Sequence, residues 1–342
     1  LDGIGSLVRC AAFGKENKRK VLMNKNKSTI TTSFNSKEQY MNKIFFTLII
    51  SGLIIGSILS TQAIANTIHS ERSLYRNILV EESKGLRCLK FNVKSSKTQQ
   101  SCMLVDDPQR LVFNYTKMLF SSLLLNPNPE RILIIGLGGG TMSNALHQIY
   151  PKATITNVEI DPAVIKVARN YFTFFENDHI TAIAQDGRIF VKRESIKKQQ
   201  YDWIILDAFN GDYIPEHLMT QEFLQEAKNL LSANGVLAAN TFSVSDLYNY
   251  ESATYKSVFG DFFNVRNNNN SNRIILASAK PLPSNEVIAA RALALNDKLL
   301  PFNVDITEIS RQMTSTATTQ DWPKNSPILT DQYSPANLLN LK

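Results

Sequence analysis

The chain has 342 residues, of which 43% are hydrophobic and 20% charged, which excludes a disordered polypeptide and leaves apolar surface for one large domain or two modest ones. Three cysteines (Cys10, Cys88, Cys102) and four histidines are too few for a multi-ligand zinc or iron–sulfur site, so no metal is expected. The net charge of +7 sits at one end: residues 1–65 carry nine of the 37 basic and three of the 30 acidic residues, leaving 28 and 27 for residues 66–342. A body so close to neutral argues against nucleic acid as a partner.

Residues 1–40 begin with Leu1 and show no sustained apolar periodicity, and read as a non-native or disordered extension ahead of a start at Met41. Residues 41–65 then follow the order of a secretory signal: Lys43, the apolar run Ile44 to Leu59, and small residues ending at Ala65. Ser51, Gly52, Gly56 and Ser57 interrupt the run, which favours cleavage over an uncleaved anchor or a buried helix. The expected location is the periplasm or exterior, or the membrane surface if the signal is kept. Any membrane contact would run through this segment alone.

Residues 66–128 read as a small β domain. A hairpin centred on Ser95 would set Cys88 opposite Cys102, each seven residues from the centre; a cross-strand disulfide and two free thiols are both compatible with that spacing. From residue 129 to 280 strands and helices alternate. Strands are expected at Ile132 to Ile135, Thr154 to Ile160, Ile180 to Ala184, Trp203 to Leu206 and Val236 to Asn240, followed by a pair at Phe262 to Asn267 and Arg273 to Ala277. Helices are expected at Ala145 to Ile149, at Pro162 to Tyr171 with Asp161 as N-cap, and around Ile189 to Lys197 and Gln221 to Leu231. This alternation predicts a mostly parallel sheet covered on both faces, with ligands at the carboxyl ends of its strands. Residues 281–342 read as a helix, Ser284 to Leu299, and a polar irregular tail.

The chemistry gathers at those strand ends. Gly136, Gly138, Gly139 and Gly140 let backbone approach a ligand and lead into free helix N–H groups. Glu159 lies 23 residues past Gly136 at the end of the next strand, where a carboxylate accepts both ribose hydroxyl protons. Thr141 stands where a dinucleotide fingerprint wants glycine, so a nucleoside without a pyrophosphate fits better. After the third strand, Asp186 and Gly187 offer an acceptor for an adenine amino group, or simply a helix N-cap. Asp207 ends the fourth strand, placed to bind or deprotonate an amine, or to cap a loop.

At these motifs (Gly136 to Gly140, Val158 to Pro162, Asp186 to Arg188, Tyr201 to Asp207) the chain resembles the spermidine synthase-like polyamine aminopropyltransferases, which share the class I methyltransferase fold. The resemblance implies an α/β, Rossmann-like fold with a mostly parallel seven-stranded sheet and a small N-terminal β-hairpin domain, which in this family often helps form a homodimer. It implies that Glu159 binds ribose, that Asp186, Asp161 and Ile160 frame adenine, and that Asp207 stands beside the attacking amine. Tyr115, Asn210, Asp212 and Tyr213 would line the amine site. Three departures bear on the reaction: Gly139 replaces a loop Asp, Lys117 an acid two residues after the cleft tyrosine, and Asn210 a second Asp. All remove negative charge from a site for a polycation. The implied activity is aminopropyl transfer from decarboxylated S-adenosylmethionine to an amine such as putrescine, releasing methylthioadenosine. Methyl transfer from S-adenosylmethionine, and a non-catalytic nucleoside-binding envelope protein, are the alternatives.

Overall fold

The computed structural model describes residues 65–91, 99–209, 213–243, 246–267, 271–335 and 339. The extension and signal segment, the turn expected near Ser95, and Asn210 and Asp212 lie outside the described residues.

Four short strands form an antiparallel meander in the order β1 (Asn66–Arg72), β2 (Asn77–Ser83), β3 (Leu86–Phe91), β4 (Gln99–Leu104). Lys84 and Gly85, both at positive φ (51° and 74°), turn β2 into β3, the two-residue geometry that matches strand twist. Cys88 faces Cys102 in the β3–β4 register, and the two form a disulfide with Cα atoms 4.1 Å apart. The inner face of the meander (Ile78, Val80, Leu89, Phe91, Met103) packs on Val164, Val167 and Phe172. Two short turns of helix, α1 (Asn114–Leu119) and a 3₁₀ segment (Phe120–Leu124), lead into the main sheet.

That sheet is built from β5 (Arg131–Ile135), α2 (Thr141–Ile149), β6 (Thr154–Glu159), α3 (Pro162–Tyr171), β7 (Ile180–Ala184), α4 (Gly187–Ile196), β8 (Tyr201–Leu206), α5 (Gln221–Asn229), β9 (Leu231–Phe242), α6 (Leu247–Phe259), β10 (Phe263–Arg266), β11 (Asn272–Ser278), α7 (Asn285–Leu299), α8 (Ile306–Arg311) and β12 (Met313–Ser315). Its strand order is β12-β10-β11-β9-β8-β5-β6-β7. β9, β8, β5, β6 and β7 run parallel, and the three strands at the other edge pair antiparallel. Alternation along each strand feeds two layers. Ile132, Ile134, Trp203 and Ile205 face a core completed by α2, α7 and α8, while Leu133, Ile135, Ile204 and Leu206 face one completed by α5 and α6. The chain leaves β5 toward β6 and β7 on one side and then crosses back from β7 to place β8 on the other side of β5, a reversal of strand order that opens a crevice at the carboxyl ends of these strands.

Helix α3 starts as its sequence dictates, with Asp161 accepting from the Ala163 amide (3.0 Å) and proline in the first turn. The sheet has eight strands, one more than expected, because β12 in the tail pairs with β10. Helix α2 begins at Thr141, four residues before its apolar stretch, since Gly140 at φ 73° serves as its N-cap. Helix α6 escapes an apolar-period search because its buried face includes Glu251, Ser252 and Thr254. Among the described residues no helix is long and apolar enough to cross a membrane.

Candidate active site

A cleft of about 540 Å³ opens at the carboxyl ends of β5, β6 and β8, with residues of the N-terminal meander on its wall. Its floor is the turn after β5. A Cβ on Gly136 (φ 101°) would fall 2.2 Å from the Asp207 carbonyl oxygen, so only glycine lets this turn pass the end of β8. Gly138 (φ 56°) packs against Ser101 of β4, and Gly187 against Ile135. Gly140 is turned away from the cleft, its α-carbon against the Phe174 ring.

Glu159, at the end of β6, is buried on the cleft wall. Its Oε1 accepts from the Asp161 amide (3.1 Å) and its Oε2 from the Leu137 amide (3.2 Å). Burial pushes its pKa up, and those two amides hold it back. Ile160 is beside it on the wall. Asp161 is not on the wall: it is fully buried, capping α3 and accepting from the Ser73 hydroxyl (2.5 Å). The adjacent acid of the motif therefore joins the meander to the main sheet instead of framing a base.

Asp186 reaches the cleft while also capping α4, accepting from the Ile189 amide (2.9 Å). Its second oxygen meets His217 Nε2 at 2.9 Å, and that hydrogen bond lowers its pKa below the usual carboxylate range. Arg188 fixes this corner through Asp331 (2.6 and 2.7 Å) and Glu226 (3.0 Å).

Asp207 lines the same cleft as Glu159. Its backbone amide donates to the Ile135 carbonyl (2.8 Å), which aims the side chain off the end of β8. Oδ1 accepts from Asn240 Nδ2 (2.8 Å). Burial pushes its pKa up to about 7, against the pull of hydrogen bonds from Asn240 and Tyr115. Tyr115 of α1 is raised well above its ordinary value by burial and then by the Asp207 charge, so it is a phenol that donates. Thr116 joins the wall, whereas Lys117 does not: two residues along a helix is more than half a turn away. The basic charge expected here therefore points out of the cleft. Tyr213 is half-buried but outside the wall.

Several wall residues were not anticipated. Asn240 lies two residues before the end of β9, on the same cleft wall as Glu159 and Asp207, and it ends the strand expected from the sequence at Val236 to Asn240, so the strand-end rule applied there would have found it. Asn272 starts an antiparallel strand, to which that rule does not apply. Arg76, from the turn before β2, stacks 4.2 Å over the Phe91 ring and donates to the Phe209 carbonyl (3.2 Å). Its side chain is 9% exposed, and its buried Nε makes no hydrogen bond but is ion-paired with Asp161 Oδ2 at 3.7 Å.

The cleft fits an S-adenosylmethionine-type nucleoside. A buried carboxylate with acceptor capacity sits at the second strand end, and glycine backbone forms the floor. Among the described residues no cluster of three or more metal-binding side chains occurs.

Comparisons agree with this geometry. Residues 112–265 match the family model of the spermine/spermidine synthase domain. A polyamine aminopropyltransferase from Vibrio vulnificus is 49% identical over 276 residues, which is 80% of this chain and 91% of that protein. A probable spermidine synthase from Corynebacterium glutamicum superposes with a TM-score of 0.62 at 20% identity, covering 77% of this chain and 96% of that one. A spermidine synthase crystallised with the transition-state analogue AdoDATO gives 0.52 at 22% identity, covering 72% and 82%. At these identities the two structures establish the fold.

Proposed function

The chain belongs to the polyamine aminopropyltransferase family, and we propose on that premise that it carries an aminopropyl group from decarboxylated S-adenosylmethionine to an amine such as putrescine. The observation that carries this reading is Asp207: a half-buried carboxyl, its pKa pushed up to about 7, just past the end of β8 on the same cleft wall as Glu159.

The donor supplies a sulfonium whose neighbouring methylene is electrophilic. Glu159 would hold the ribose hydroxyls and Asp186 the adenine edge, with Gly136 and Gly138 giving backbone access. Asp207 orients the acceptor amine and takes its proton as the nitrogen attacks in line. The N–C bond forms, the C–S bond breaks with its electron pair going to sulfur, and methylthioadenosine leaves. A carboxyl that titrates near neutrality can both take and return a proton at working pH.

Arg76 supports a second reading, methyl transfer from intact S-adenosylmethionine. It is the one Lys or Arg on the described cleft wall, and a guanidinium suits a donor that keeps its carboxylate. Calorimetric titration of residues 66–342 with each donor separates the two. Aminopropyl transfer predicts tighter binding of the decarboxylated form, and tighter binding of the carboxylated form would move the assignment to methyl transfer. Asp207→Asn should lower turnover by at least about 10²-fold with donor affinity unchanged, and full turnover in that variant would remove Asp207 from the mechanism.

The proposed partners are a small amine, no nucleic acid, and a second copy of the chain in a homodimer. We place the protein outside the cytoplasm, with membrane contact only through the segment before residue 66. The signal-like order of residues 41–65 supports this, as does the Cys88–Cys102 disulfide, a bond favoured in oxidising compartments.

A further inference from the structure

Two asparagines stand in series behind Asp207. Asn272 Nδ2 donates to Asn240 Oδ1 (2.9 Å), and Asn240 Nδ2 donates to Asp207 Oδ1 (2.8 Å). Both lie on the cleft wall, and Asn240 is 3% exposed. The next residue of each strand points to the other face of the sheet. There the fully buried Arg273 donates to Thr241 Oγ1 (2.8 Å), Ser252 Oγ (2.6 Å) and Glu251 Oε2 (2.8 Å). Thr241 and Arg273 are register partners in the β9–β11 ladder, so the ladder that carries the two amides is clamped from behind.

A side-chain amide has a donor end and an acceptor end, and its hydrogen bonds decide which way it faces. Asn272 occupies the carbonyl of Asn240, which obliges Asn240 to present its NH₂ to Asp207. The reverse orientation would set a carbonyl against a carboxylate in a buried site, where an unmatched acceptor pair is costly. We propose that Asn240, oriented by Asn272, is a positioning residue that holds Oδ1 of Asp207 and thereby fixes the direction in which the carboxylate meets the acceptor amine and takes its proton. The same hydrogen bond favours the ionised carboxylate, so the relay also sets the pH at which the base becomes available. Among the described residues, the charged or titratable groups that share the cleft wall with Asp207 are Tyr115 from α1, Glu159 from β6, Tyr75 and Arg76 from the turn before β2, and the Asp186–His217 pair. Of these, Tyr115 is hydrogen-bonded to it.

The inference rests on the aminopropyl-transfer reading. Its test is methylthioadenosine release from decarboxylated S-adenosylmethionine and putrescine, measured from pH 5.5 to 9 on the full chain and on Asn240→Ala, Asn272→Ala and the double variant. Affinity for methylthioadenosine is measured separately by calorimetry. Asn240→Ala should move the acid limb of kcat upward by about one pH unit and lower kcat at neutral pH by about 10²-fold, with methylthioadenosine affinity unchanged. Asn272→Ala should shift the limb in the same direction by less. The double variant should match Asn240→Ala, because Asn272 acts through Asn240. An unmoved acid limb in both single variants, or additive losses in the double variant, would overturn the relay. Asn272→Ala, at a half-buried rim position, keeps the test decisive if Asn240→Ala does not fold. Failure of the unsubstituted protein to release methylthioadenosine would overturn the transfer reading itself, and the relay's role with it.

Discussion

A Cβ at Gly139 would lie 2.8 Å from Ser101 Oγ and 2.9 Å from the Phe172 ring. The missing loop acid is therefore no vacancy awaiting a carboxylate, because a serine of β4 and the aromatic C-cap of α3 have taken its volume. Charge at this end of the cleft was lost together with space. Restoring the acid with Gly139→Asp should therefore destabilise the protein by about 1–3 kcal/mol, the usual cost of overpacking, as read by urea denaturation. Adding Ser101→Gly should recover part of that loss. An unchanged midpoint for Gly139→Asp would mean that the loop can move away from β4. Lys117 calls for the opposite correction: the residue is basic, but its helical position carries the charge out of the site. Composition at a motif position says little until the side chain's direction is known.

At the scale of elements, the β3–β4 pair brings Gln99, Gln100 and Ser101 to the cleft wall, and the disulfide through Cys102 ties that strand to β3 one residue from Ser101. Closing a loop with a sequence separation of 14 removes about 3 kcal/mol of unfolded-chain entropy in the loop-closure account. The double variant Cys88→Ala/Cys102→Ala should lose stability of about that size in urea, and reductant should bring the unsubstituted chain to the same midpoint. If reductant leaves the midpoint unmoved while full thiol titration is reached, the crosslink contributes nothing to the meander. The parts of this architecture legible in the sequence were those where local and global signals coincide. The α3 cap at Asp161 and Pro162, the strands ending at Ile135, Ala184 and Leu206, and the carboxylates at Glu159 and Asp207 all follow from period, cap and strand end. What escaped had its cause elsewhere. Helix α6 buries polar side chains around Arg273. Strand β12 has three residues and exists through pairing with β10. Asn272 and Arg76 reach the cleft from an antiparallel strand and a turn, where no periodicity marks them. Asp161, read as a ligand-framing acid, was already committed to capping α3 and to Ser73.

For the whole molecule, carboxyl groups fall into two populations with opposite consequences for pH. Burial pushes Asp207 and Glu251 up to about 7 each and raises Glu159. Such a group is ionised in the unfolded chain above about pH 4 but stays protonated in the native state until its own higher pKa. The native state therefore binds more protons across that window, and stability falls as pH rises from about 4 to about 7. The second population is lowered by hydrogen bonds from partners: Asp186 by His217, Glu71 by Lys166, Asp261 by Lys256, Asp331 by Arg188. Their stabilisation is present above the unfolded carboxyl pKa and is lost as pH falls below it. Asp261 and Asp331 are exposed and Glu71 and Asp186 half-buried, so solvent screens these pairs and each contributes little. The contribution of Asp207 and Glu251 to stability is therefore larger on the acid side of neutrality. Catalysis by an ionised Asp207 needs the other side, so the base is available where the fold is less secure. Asp207→Asn uncouples the two effects, since an amide of the same shape has no proton to lose and still accepts from Asn240. That variant should be more stable than the unsubstituted chain at pH 8, the advantage shrinking to nothing near pH 4, while turnover is lost at every pH. Equal urea midpoints for the two proteins at pH 8 would show that Asp207 is ionised without cost, and would remove burial as the reason its proton is held so close to neutrality.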